Sequence, residues 1–254
     1  MSDQVHTFRA LHVPGDPLVL FNIWDAGSAR AVAGAGAKAI ATGSYGVAEA
    51  HGLKDGETLP LDLALANLER IVSVTELPVT IDMESGYGDT PAAVGHSVAL
   101  ARAAGAAGIN MEDRLPGSDE LVALGEQAAR VEAAARTGLF VNARTDVFRR
   151  RDVASEGPAL VAATLERARA YADAGACGLF VPFLADRRSI AAICGRSPLP
   201  VNILWSPPCG DRSVLADLGV ARISHGHQPW AAAMAMLARE AGRVLGGGVP
   251  SYAG

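Results

Sequence analysis

The chain has 254 residues, half of them hydrophobic, with 22 Lys and Arg against 27 Asp and Glu and a formal net charge of −5. That is enough for one large core or two modest domains, and with no basic tail or long basic run (the densest cluster is FRRRD, 148–152) it argues against a nucleic-acid partner. No apolar run is long enough to span a bilayer, MSDQVHTFRALHVPGDP has neither the charged start nor the apolar core of a signal peptide, and the three cysteines, Cys177, Cys194 and Cys209, show no CxxC spacing; we expect a cytoplasmic protein without disulfides.

In chain order, a strand is predicted near 18–25 (DPLVLFNIWD), then the helix AGSARAVAGAG and a strand near 37–44. The helix PLDLALANLERIVSVT leads to a strand near 77–84, and PAAVGHSVALARAAG to one near 106–113. LGEQAARVEAAARTG precedes a strand near 139–146, and ALVAATLERARAYADAG one near 176–183. RRSIAAICG precedes a strand near 199–206, DRSVLADLG precedes the last near 221–226, and PWAAAMAMLAREAGRVL closes the series. AGAGAKAIATGS, AAGAAGINMED, DAGACGLFVPF and DLGVARISHG repeat one junction, in which a glycine stops a helix before an apolar run. Eight strands, each followed by a helix and apolar on both faces, predict a parallel sheet under helices. At this length the simplest closure is one (β/α)8 barrel over residues 1–254. GAGAKA (34–39) runs from helix into strand, the reverse of a dinucleotide fingerprint.

The active site of such a barrel lies at the C-terminal mouth of the strands, so strand-final polar residues carry the functional argument. They are Asp25, Gly43 and Ser44, Asp82 and Glu84, Glu112 and Asp113, Arg144 and Asp146, Asn202, and His225. Residues two apart on a strand share a face, which sends Asp82 and Glu84 together into the mouth, with Glu112 on the adjacent strand. Three converging carboxylates take up protons, pair with Arg144 or bind a cation. An all-oxygen set without clustered His or Cys suits Mg2+, or Mn2+. A single acid at a strand end is commonly a helix cap, and Asp113 and the Asp89-Thr90-Pro91 turn are read that way. Arg144 is either a counter-ion of the cluster or, with the metal in place, a planar fork for a substrate carboxylate.

These motifs resemble the isocitrate lyase/phosphoenolpyruvate mutase superfamily. The resemblance runs from FNIWDAGSARAVAGAGAKAIATGS to ARISHG. DMESGYGD resembles the D-x-D-x-G-[YF]-G metal motif, with Glu84 in place of the second aspartate. INMEDR places Glu112 as an outer acid around the metal, and NARTD makes Arg144 a substrate contact. LKDGE puts Asp55 on a gating loop. TGSYG supplies Gly43, Ser44 and Tyr45 to a carboxylate or phosphonyl group, and PVNIL puts Asn202 at a substrate-contact position. His225 and His227, in SHGHQPW near the mouth, are further candidates, able to relay a proton or to cap the final helix from its turn. The resemblance implies a (β/α)8 barrel whose last helix, here within 227–254, is often exchanged between subunits. It also implies homotetramers built as dimers of dimers, and Mg2+ chelated by a 2-oxo acid. The implied reaction cleaves or rearranges the C–C or C–P bond beside the carbonyl, through a pyruvate-enolate-like species.

Two departures shape the expected chemistry. Superfamily lyases carry K-[KR]-C-G-H after the strand-4 acid, and mutase-like members carry Lys and Asn there. Here DRLPGSDELVALGEQ has no Cys, Lys or His. Many lyases have Glu where FVPFL has Phe183. A small 2-oxo acid of the oxaloacetate type is therefore the favoured substrate. The alternatives are phosphonopyruvate hydrolase or mutase-like activity, a metal-dependent 2-oxo-acid aldolase, and a non-catalytic 2-oxo-acid-binding barrel. A Schiff-base aldolase lacks its lysine, because Lys38 lies at the wrong end of a strand and Lys54 in a loop.

Overall fold

The computed structural model describes residues 2–252. Its strands are β1 (Leu18–Leu20), β2 (Ile40–Ala41), β3 (Val79–Asp82), β4 (Gly108–Glu112), β5 (Phe140–Arg144), β6 (Gly178–Val181), β7 (Val201–Leu204) and β8 (Arg222–Ser224). The helices are α1 (Ser2–Ala10), α2 (Ala26–Gly34), α3 (Ser44–Ala50), α4 (Leu61–Val72), α5 (Pro91–Ala103), α6 (Leu124–Ala135), α7 (Val153–Asp173), α8 (Arg187–Cys194), α9 (Arg212–Asp217) and α10 (Gln228–Leu245). Every expected strand is present. α1 and α3 are additions the sequence reading did not contain, and residues 253–254 of the expected C-terminal tail lie outside the described residues.

The strands pair in parallel in the order β1-β8-β7-β6-β5-β4-β3-β2. A parallel bridge between Ile23 and Thr42 then joins β1 to β2, with the Ile23 amide donating to the Ala41 carbonyl at 2.8 Å. This is a closed (β/α)8 barrel. Alternation divides each strand cleanly. Ile109, Met111, Val141, Leu179, Val181, Ile203 and Ile223 face outward and are buried against Leu68, Val94, Val98, Val131, Leu165 and Ile193 of the helices. No helix among the described residues is long and apolar enough to cross a membrane.

The barrel interior is stacked in layers of different chemistry. Phe8 and His12 at the end of α1 close the bottom against Phe140, whose ring stacks on His12 at 4.2 Å. Above them lies a polar layer in which Arg222, fully buried, donates to Asn110 Oδ1 at 3.1 Å. Asn142 donates to the same oxygen at 2.9 Å, and Ser224 to Asn202 at 3.2 Å. Burial pulls the Arg222 pKa down to about 9, with Asp82 the carboxylate that opposes the shift. The mouth of the barrel sits on this layer.

His12 makes the interior sensitive to pH. Its Nδ1–H donates to the Phe8 carbonyl at 2.8 Å. Burial and then the Arg222 charge push its pKa from 6.5 down to about 3. The folded state thus binds the proton more weakly than the unfolded chain, so this contribution to stability is full above the unfolded pKa of 6.5 and is lost as pH falls towards 3. Comparing His12→Gln with the native chain should show a Tm deficit at pH 7 that narrows at pH 4. A deficit of equal size at both values would mean that His12 acts through packing alone.

Candidate functional site

The mouth is a cavity of about 240 Å³ whose lining includes Asn22, Ser44, Asp55, Asp82, Asn110, Arg144, Phe180, Phe183 and His227. A larger groove of about 790 Å³ lies elsewhere, on the outer face between the end of α1, β1 and α2, and is lined by Leu11, Val19, Phe21 and Ala35. The chemistry is at the mouth, where the part-buried carboxylates of several adjacent strands converge on Arg144.

Arg144 organises the cluster. Its Nε and Nη2 donate to the two oxygens of Asp146 at 2.7 and 3.0 Å, and its Nη1 lies 2.7 Å from Glu112. Arg114, from the β4–α6 loop, reaches the same two acids at 3.3 and 3.4 Å. Two guanidiniums thereby face two carboxylates. Although burial disfavours its charge, Glu112 and Asp146 hold the Arg144 pKa above its ordinary value. Burial outweighs Arg144 at Glu112 and pushes that carboxyl up to about 7. Asp113, expected as a cap or turn former, instead ties elements together: it accepts from the Asp146 amide at 2.9 Å, from Tyr171 at 2.8 Å and from Arg167 at 3.1 Å. Asp25 is an N-cap, accepting from the Ser28 amide at 2.7 Å.

Asp82 has no such neutralisation. It is half-buried at the cavity, and its pKa is raised by desolvation and, against the pull of Arg144, by Asp55. Its hydrogen bonds are long, from the Glu84 amide at 3.2 Å and the Ser44 amide at 3.4 Å. A half-buried carboxylate with weak donors and a second acid beside it is chemically suited to a hard divalent cation.

The expected shared face of Asp82 and Glu84 does not survive the end of the strand. β3 stops at Asp82, and Glu84 has left-handed backbone (φ 49°), so strict alternation no longer applies. Its Oε2 accepts the Glu57 amide at 2.7 Å, and the Tyr87 hydroxyl lies 3.4 Å from Oε1. Burial, then Asp82 and Asp55, push its pKa up to about 8. Glu57 reciprocates: its Oε1 accepts the Ser85 amide at 2.7 Å, the Ser85 hydroxyl at 2.5 Å and the Tyr87 amide at 3.3 Å. The loop carrying Asp55 is thus clamped to the turn after β3 by two carboxylates. Gly88 permits that turn, since a Cβ there would sit 2.6 Å from the Val94 amide nitrogen of α5.

The structure brings Asp82, Asp55, Arg144, Gly43, Ser44 and Tyr45 to one cavity. It does not gather Asp82, Glu84 and Glu112 into a ligand triad; among the described residues no three His, Cys, Asp or Glu side chains form a metal-sized cluster. Asn202 points inward but lies one layer down, fully buried. His225 follows the inward Ser224 and so faces away from the interior, stacked on Trp205 with ring centroids 5.6 Å apart; it is His227 that lines the cavity. The Gly43 amide is spent on barrel closure, donating to the Ile23 carbonyl at 3.1 Å. Asn22, Glu57, Phe180 and Arg222 were not singled out in the sequence. For Arg222 a usable signal existed, because it is two residues from Ser224 on a strand whose other positions are apolar.

A (β/α)8 barrel with these acids and this arginine at its mouth is of the isocitrate lyase/phosphoenolpyruvate mutase type. The phosphoenolpyruvate phosphomutase family profile matches residues 8–245, and the chain belongs to that family. A solved structure from Burkholderia cenocepacia J2315, provisionally classed as a phosphonomutase, is 49% identical with a TM-score of 0.92, covering 97% of this chain and 99% of that one. The 2-methylisocitrate lyase of Salmonella typhimurium is 34% identical over 68% of this chain and 60% of its own length. An oxaloacetate decarboxylase of Rhodopseudomonas palustris is 32% identical over 74% of this chain and 69% of its own. Phosphonopyruvate hydrolase, solved with oxalate and Mg2+, has a TM-score of 0.81 over 96% of this chain and 88% of its own, and at 21% identity shares the fold.

The clamp has a measurable consequence. Glu57→Ala removes three hydrogen bonds from the 51–59 loop, so limited proteolysis within it should accelerate about tenfold or more while the barrel core stays protected. Unchanged cleavage would show that Glu84 alone holds the loop.

Proposed function

We propose that this protein is a Mg2+-dependent lyase that cleaves the C–C bond beside the carbonyl of a small 2-oxo acid, with an oxaloacetate-type substrate. The observation that supports it most is the division of charge at the mouth. Glu112 and Asp146 are matched by Arg144 and Arg114, while Asp82, with Asp55 beside it, is left without a cation. Asp82 would hold the metal, with Asp55 and Glu84 next to it. When bound, Mg2+ draws electron density from the carbonyl and carboxylate oxygens and so favours the enolate left by bond cleavage. Mn2+ meets the same oxygen chemistry.

The chain's own residues then divide the work. Arg144 keeps free N–H donors after its bonds to Asp146 and Glu112, because a guanidinium carries five, and these orient the substrate carboxylate. Asp55 rides on the clamped loop and closes the cavity to water. The β4–α6 loop carries no proton donor of the thiol or ammonium kind, and Arg114 anchors it through the Ser118 carbonyl at 2.9 Å. Decarboxylation needs no acid at the departing end, since CO2 leaves neutral. The oxaloacetate decarboxylase relative agrees with this reading. Oxaloacetate with Mg2+ should yield pyruvate at a rate that Asp82→Ala lowers by at least 10³-fold and EDTA abolishes, measured by coupled pyruvate detection. Binding of oxaloacetate without turnover would favour the non-catalytic alternative.

We also propose a homo-oligomer in which a second copy's α10 covers the outer face of β1. Phe21 and Val19 of that face are exposed, as are Met236, Leu237 and Leu245 of α10, although strands of a parallel barrel are normally covered on both faces. Light scattering should give a multiple of the 26.1 kDa chain mass, reduced to the monomer by Leu237→Glu; a native monomer would contradict this.

A further inference from the structure

The cavity has two chemically different halves. Across β8 and β1 to β5 it is lined by Ser44, Asp55, Asp82, Asn110, Arg144 and His227. From β6 and β7 it is lined by Phe180, Pro182, Phe183 and Leu204, with no titratable group. Arg144 stands at the boundary, its guanidinium carbon 5.9 Å from the ring centroids of both Phe180 and Phe183. The Phe183 backbone is left-handed (φ 64°), a conformation that costs a bulky residue energy. Its ring is nonetheless 48% exposed at the lip of the cavity. Strain and exposure together mark a side chain held for contact with a ligand.

We infer that the β6–β7 wall is the subsite for the substrate's departing fragment, and that it selects 2-oxo acids whose fragment leaves uncharged. This rests on the 2-oxo-acid reading given above. The 2-oxo acid end belongs to the polar half, where the guanidinium and the metal-binding acid are, so the rest of a small molecule is directed at the phenylalanines. A carboxylate resting there would be stripped of water without a partner of its own, because the N–H donors Arg144 has left after Glu112 and Asp146 belong to the carboxylate of the 2-oxo acid end. An apolar group meets no such opposition.

For an oxaloacetate-type substrate the same wall assists the reaction. The C3–C4 bond breaks, its electron pair stays on C3 as the enolate, and C4 departs with both oxygens as CO2. A proton from solvent at C3 then completes pyruvate. The wall opposes the reactant carboxylate and not the neutral product. A fragment that stays anionic, such as succinate or glyoxylate, meets the opposition before and after cleavage alike.

Calorimetric titration of the Mg2+-loaded protein with three ligands tests this. Oxalate reports the polar half alone. 4-Methyl-2-oxopentanoate and 2-oxoglutarate share the 2-oxo acid end and differ in an apolar or a charged tail. The apolar-tailed ligand should bind at least tenfold more tightly than 2-oxoglutarate. Phe183→Arg should reverse that order, whereas Phe183→Leu should preserve it. If oxalate binds but 2-oxoglutarate equals or exceeds the apolar ligand, or neither tailed ligand binds, the inference is overturned and the reading of the polar half stands. If oxalate fails to bind at all, both fall.

Discussion

The grip of Arg144 on Asp146 and Glu112 is the interaction on which the mouth depends. It crosses from β5 to β4 and uses both edges of the guanidinium, at 2.7 and 3.0 Å to Asp146 and 2.7 Å to Glu112. It fixes which acids are free. Without it, the buried and half-buried carboxylates of the mouth would repel one another in a low-dielectric cavity. With it, the negative charge that is left concentrates on Asp82 and its neighbours, where a divalent cation lowers the free energy most. The same grip holds Arg144 against the phenylalanine wall, so the polar and apolar halves of the cavity share one boundary residue.

Beneath the mouth, the polar layer of Asn110, Asn142, Asn202, Ser224 and Arg222 is unusual filling for a barrel interior, where branched aliphatic residues commonly dominate. Arg222 has no carboxylate within hydrogen-bond distance; its partners are Asn110 and Ser224. A buried guanidinium held only by neutral groups carries a large desolvation cost. Its field reaches upward to Asp82 and downward to His12, whose pKa it helps to depress. The interior thus links the neutral imidazole at the base, by way of one buried cation, to the carboxylate at the mouth.

Much of this was legible in the chain. Glycine-stopped helices and apolar runs located all eight strands, because helix termination and two-faced burial are local demands on sequence. Alternation placed Asp82, Glu112 and Arg144 on inward faces, since each lies within extended backbone. It failed at Glu84, where the strand has ended and φ is 49°. It also failed to give depth: Asn202 is on the inward face as expected but lies below the cavity, because strand stagger around a barrel depends on tertiary closure. His225 was misplaced by one position, the inward residue being Ser224. The Glu57 clamp left no readable signal, because an acid in a polar loop looks the same whether it is solvated or accepts three hydrogen bonds.

The central claim is that Asp82, with Asp55 beside it, is left without an ion-pair partner at the mouth and is therefore the metal's anchor. The most direct measurement is an electron paramagnetic resonance titration of Mn2+ into the native protein, Asp82→Asn and Glu112→Gln, monitoring the signal of the free ion. The account predicts stoichiometric loss of the free signal in the native protein, near-complete failure to bind in Asp82→Asn, and retained binding in Glu112→Gln. Equal binding by Asp82→Asn and the native protein would contradict it, and would place the cation outside the mouth of the barrel.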